Sequence, residues 1–143
     1  MSETNDASVV ILSPGLSADQ LVAAVGIEPD KKWNRGDPIT EAGKGRYPTS
    51  GLRYDSPLDP ERSVADHVHA LAFRLEAARA GLLRMKRTFQ SNEHGSIQLP
   101  MFTFCPTESI EFLLDAEDLA VLAEVCTSIR VSTVGDPEPI EVK

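Results

Sequence analysis

Residues 31–54, KKWNRGDPITEAGKGRYPTSGLRY, gather the only Trp of the chain, both Tyr and six of its fourteen basic residues. Aromatic faces beside cations are the ingredients of ligand recognition, and two arrangements within the segment offer them. In the first, Trp33, Gly36 and Asp37 form one wall of a groove, Gly36 taking a backbone conformation closed to other residues and Asp37 closing the turn with its carboxylate. In the second, Gly43-Lys44-Gly45-Arg46 and the Thr49-Ser50-Gly51 that follows supply pliant backbone, cations and hydroxyls for an anion cradle. Against the first stands a structural reading, favoured here, in which Trp33 pins a long loop to the core through its large apolar area. Against the second stands a solvated loop with incidental charge. The order GxxxxGK[ST] of a P-loop is absent, so a nucleotide phosphate site is not expected.

Outside this segment the reactive residues are scattered. His67 and His69 are two apart on a predicted helix and point to different faces, so they cannot chelate one metal as an i, i+4 pair would. His67 borders the helix's apolar stripe and reads as a partly buried, hydrogen-bonded side chain, with the 31–54 loop as a candidate partner. Cys105 and Cys126 carry no nucleophile signature and read as two reduced thiols. Glu117 and Asp118 are first-turn helix acids placed by the helix dipole. No catalytic set, metal site or cofactor site is expected.

The elements that must position these residues follow from period and punctuation. Val9-Val10-Ile11-Leu12 before Ser13-Pro14-Gly15 predicts a strand and a turn; Ser17 caps a helix over 18–26, ended by Gly26 and Pro29. From Glu28 to Ser50 no period of 2 or 3.6 is sustained, which predicts a long ordered loop leading into a strand at 52–55. Ser63 opens a long helix whose stripe, Val64, Val68, Leu71, Leu75, Ala78, Leu82, Met85 and Phe89, would span about 40 Å. Ile97 to Cys105 alternates as a strand in which Pro100 implies an edge position or a bulge. A hairpin partner is expected over 110–114, then an Asp115-capped helix from 116 to about 126 and a strand over 128–134. The junctions 16–25 and 114–123 echo one another. The fold class is α+β: one domain over 1–135, a mainly antiparallel sheet of about five short strands with helices packed on it, ferredoxin-like or a variant, and an acidic tail over 136–143.

The chain has 143 residues and a formal net charge of −8, which disfavours nucleic acid as a partner. The charge is uneven: residues 31–53 hold six basic against two acidic residues, whereas 108–142 hold nine acids against one Arg. No apolar run is long enough to span a membrane, and MSETNDASVV lacks the features of a secretory signal, so a cytoplasmic protein is expected.

Trp33-x-x-Gly36-Asp37, then Pro48-Thr49-Ser50-Gly51-Leu52, an acidic linker and Asp66-His67-x-x-x-Leu71 within a long helix resemble the bacterial family called domain of unknown function 4279, over about residues 9–134. Where members of that family tend to carry a Trp soon after the Thr-Gly pair, this chain has Leu52-Arg53-Tyr54. The resemblance implies a compact single domain and no established activity. The functional expectation is a non-enzymatic protein that binds a macromolecular, basic partner, as an acidic inhibitor or immunity-type protein would. The alternative is a small-ligand or anion site between the 31–54 loop and the long helix, lined by Trp33, Gly36, Asp37, Lys44, Arg46, Tyr47, Arg53 and His67.

Overall fold

A computed structural model describes residues 4–39, 45–92, 95–104 and 113–134, with no account of the side chains of Asn92 and Val134. In chain order the elements are β1 (Thr4–Ser13), α1 (Ala18–Val25), β2 (Lys31–Trp33), β3 (Ser50–Asp55), α2 (Val64–Leu75), a 3-10 turn (Glu76–Ala78), α3 (Arg79–Asn92), β4 (Ser96–Phe104), α4 (Ala116–Val125) and β5 (Ser128–Val134). The helices begin where side chains can satisfy their free N–H groups. Ser17 and Gln20 form a reciprocal capping box on α1, Ser63 Oγ accepts from Asp66 N on α2, and Asp115 accepts from Glu117 N and Asp118 N on α4. Gly26, at φ 93°, ends α1 in the left-handed conformation.

The strands form one mixed sheet in the order β2-β3-β1-β4-β5, antiparallel except where β4 and β5 run parallel. β3 and β4 flank β1 and both oppose it, so the long helical rod connects two parallel strands around a third, the split β–α–β unit of ferredoxin-like folds. That unit occurs twice, because α1 likewise connects β1 to β2, which are parallel with β3 between them. β1–α1–β2–β3–rod–β4 in the order β2-β3-β1-β4 is the ferredoxin-like arrangement, and α4 with β5 extends it at the β4 edge. The echo between 16–25 and 114–123 falls on the capped starts of α1 and α4.

Every residue of the predicted stripe from Val64 to Phe89 is buried, facing Val9, Ile11, Leu52, Tyr54, Ile97, Leu99 and Met101 in one continuous core. Each fully buried Leu or Ile there contributes about 1.5–3 kcal/mol. The rod is not uniform, because a 3-10 turn interrupts it over Glu76–Ala78.

Three expectations are corrected. The 28–50 segment is not all loop: Lys31–Trp33 forms an edge strand on β3. Pro100 lies in an interior strand without a bulge. The β1–β4 ladder omits the positions opposite Ser8 and Val9, where Pro100 has no N–H to give, and resumes in the same register. Nor does β4 form a hairpin with 110–114, because β1 and β5 occupy its two edges; residues 110–112 lie outside the described residues, and Leu113 and Leu114 are in no strand. Cys105 and the tail over 136–143 also lie outside them.

Candidate functional site

The loop residues assemble around the indole. Trp33 stands opposite Gly51 in the β2–β3 ladder and stacks on Tyr47, with ring centroids 4.8 Å apart and planes 21° from parallel. Lys31 Nζ lies 5.8 Å from the Trp33 ring centroid and 5.7 Å from that of Tyr47, within cation–π range of both. Gly36, at φ 89°, donates to Tyr47 O at 2.8 Å, and Tyr47 N donates to Asp37 O at 2.9 Å. Asp37 Oδ2 accepts from Asn34 N, while Arg46 Nη1 donates to Gly36 O, both at 2.8 Å. Asn34 Oδ1 in turn accepts from Ala18 N at the start of α1, and Arg35 N donates to Ser50 Oγ. Of the groups expected to cradle an anion, Arg46 and the Ser50 hydroxyl are engaged inside the loop. Lys44 lies outside the described residues.

Arg53 and His67 do not join this cluster. Side chains alternate along β3, so Gly51 and Arg53 point to the sheet face away from the helices while Leu52 and Tyr54 enter the core. Arg53 pairs on that outer face with Asp55 at 2.5 Å and Asp6 at 3.3 Å. Burial, then repulsion from Asp55, raises the Asp6 carboxyl above its ordinary value, against the pull of Arg53. His67 is buried on the opposite face, its Nδ1 2.6 Å from Ser56 Oγ and its Nε2 without a partner among the described residues. One pocket shared by Trp33, Arg53 and His67 is therefore not formed: the sheet lies between the first two and the third. What ties the loop region to the long helix is Arg74, which donates to Asp30 Oδ2 at 2.5 Å and to Asp55 O at 2.7 Å.

A cavity of about 470 Å³ lies elsewhere, between α2 and α4. Ala72, Leu75, Leu122 and Val125 supply its buried or nearly buried apolar surfaces, while Phe73 is 77% exposed and Val121 41%. Two polar contacts bridge the rod and α4, one from α2 and one from the start of α3. His69 Nδ1 donates to Asp118 Oδ2 at 2.9 Å, and Arg79 donates to Glu124 at 2.5 Å. Behind the groove, Lys86 donates to Ala123 O and Glu124 O, placing a cation at the C-terminal end of α4. Cys126 beside it is a buried free thiol, its pKa pushed up to about 12 chiefly by burial. The sequence reading missed this site because Phe73 falls off the stripe that fixes the core. A large aromatic on the polar side of a helix was the available signal.

Fold and groove define an α+β domain with a one-sided mixed sheet and an apolar trough on its helical layer. Over residues 2–135 the chain matches the model of the family described as Domain of unknown function (DUF4279), and it belongs to that family. No curated protein and no solved structure matches it. Among the described residues no helix is long and apolar enough to cross a membrane.

Proposed function

We propose that the protein is a non-enzymatic binding protein of the bacterial cytoplasm that docks a basic macromolecular partner in the α2–α4 groove, acting as an acidic inhibitor or immunity-type protein. The observation that carries this reading is Phe73, a large aromatic side chain left in solvent above a groove with an apolar floor and charged walls. Exposed apolar surface of this kind, rimmed by charge, marks interaction sites. The net charge of −8 supplies the steering that a basic partner would feel.

The test compares wild type with Phe73→Ser as bait at physiological salt, followed by co-expression with any captured protein whose activity can be assayed. The expected result is a partner retained by wild type, lost from the variant, and inhibited when bound. Capture of nothing by wild type, or equal retention by both baits with unchanged melting temperatures, would overturn the reading.

A further inference from the structure

We infer that the groove receives an amphipathic helix of the partner, apolar stripe inward and basic residues beside it. The inference rests on the docking reading above and adds the shape and charge of what docks.

Spacing is the first ground. α2 lines the groove with residues 69, 72, 73 and 75, the 3-10 turn and the start of α3 add 76 and 79, and α4 lines it with 118, 121, 122, 124 and 125. Each side contains the spacing i, i+3, i+4, i+7 (69, 72, 73, 76 and 118, 121, 122, 125), the stripe a helical rod presents to another helix. Orientation is the second. His69 of α2 meets Asp118 near the start of α4, and Arg79 at the start of α3 meets Glu124 near its end, so the rod and α4 run the same way and leave a lengthwise trough. From residue 69 to 79 it extends about 15 Å, the length of roughly three helical turns.

Charge selects the occupant. Glu76, Asp118 and Glu124 line the groove against Arg79 and His69, and Glu76 has no ion pair with another described residue. A basic residue beside the apolar stripe would give Glu76 a partner. A second copy of this chain would set the same acids against each other and add two bodies of net charge −8. An extended segment would find no strand edge between two helices, whose backbone groups are bonded internally.

The test titrates two helix-forming peptides into the isotope-labelled full chain, followed by NMR. Both carry Leu at i, i+3, i+4 and i+7; one has Lys and Arg flanking the stripe and its twin has Glu there. The expected result is shifts confined to amides of 69–79 and 116–125, with the basic peptide about tenfold tighter or more, a preference that fades as salt is raised. Glu76→Lys should remove most of that preference, and Phe73→Ser should abolish the shifts at unchanged melting temperature. Equal affinity for the twins, shifts centred on β5, or self-association through the groove would overturn the inference. If wild type captures a partner that Phe73→Ser loses, yet the basic peptide does not compete, the helical occupant is wrong and the docking reading stands. If Phe73→Ser keeps the partner, the docking reading itself falls.

Discussion

The indole of Trp33 occupies the space that a side chain at Gly51 would need. A Cβ built on Gly51 overlaps the six-membered ring of the indole and lies 2.9 Å from Ile11 O, so neither the ring nor the central strand leaves room. Gly51→Ala is expected to push the indole off the sheet and loosen its stack on Tyr47, at a cost of about 1–3 kcal/mol, typical of overpacking. Urea unfolding would show the lower midpoint, and the Trp emission should shift to the red and become easier to quench. An unchanged midpoint with an unchanged spectrum would mean that the indole is not seated there.

Gly81 sets two effects against each other. Gly81 is the third residue of α3, and within a helix Ala is favoured over Gly by up to about 1 kcal/mol of propensity. A Cβ at this position, however, would collide with Ala24 O and lie 2.9 Å from Val25 O at the end of α1. These are backbone atoms, which cannot rotate away, so overpacking of about 1–3 kcal/mol should win. Gly81→Ala is expected to lower stability while raising the helicity of a peptide copied from α3. Higher stability of the intact variant would show that α1 and α3 sit further apart.

The parts of this fold legible in the sequence are those set by neighbours along the chain. Ser17, Ser63 and Asp115 cap the helices they were expected to cap, and the Val64–Phe89 stripe is buried throughout. Strand β2 was not legible, because three residues cannot display a period; Lys31–Trp33 is a strand only because β3 offers it an edge. Nor could one sequence place Pro100 inside the sheet, since that depends on β5 returning to pair beside it. For the site, the role of Trp33 as an aromatic anchor was legible, and its stack on Tyr47 is the contact that provides it. The separation of Arg53 from His67 by the sheet was not, because it depends on which way β3 faces.

Acid should act in opposite directions at two carboxylates. Burial alone would raise Asp30, but the Arg74 hydrogen bond, the Asp55 N–H and the charges of Arg74 and Arg53 outweigh it and hold the group below its ordinary value. Its ionised form therefore contributes stability above the ordinary carboxylate range, lost as pH falls through the lowered pKa. Asp6 is raised, so its contribution is present below the ordinary range and is lost as pH rises through the raised value. Relative to wild type, Asp30→Asn should be less stable at pH 7 and converge with it in acid, while the penalty of Asp6→Asn should be smaller at neutral pH than in acid. Both sites are partly open to solvent, so each effect should stay below about 1 kcal/mol. Denaturation midpoints from neutral to acid pH would check this, and parallel pH trends for the two variants would contradict it.

Asn5 joins three parts of the chain that later position α2. Its N–H donates to Pro60 O at 2.8 Å, its Nδ2 to Arg62 O at 3.0 Å, and its Oδ1 accepts from Thr103 Oγ1 at 2.6 Å, linking β1 and β4 to the residue before the Ser63 cap. Both side chains are buried, so water cannot replace a lost partner. Thr103→Val keeps the shape but leaves Asn5 Oδ1 without its donor, and should cost about 1–3 kcal/mol. Thr103→Ser restores the hydroxyl at the expense of one methyl, worth about 1 kcal/mol or somewhat more. If the hydrogen bond is the larger effect, Val will be the weaker replacement, and an Asn5→Ala, Thr103→Val cycle will show coupling of at least about 0.5 kcal/mol, as for residues in contact. Additive losses would place the stability in packing alone and would remove Asn5 as the link between the sheet and the helix that lines the groove.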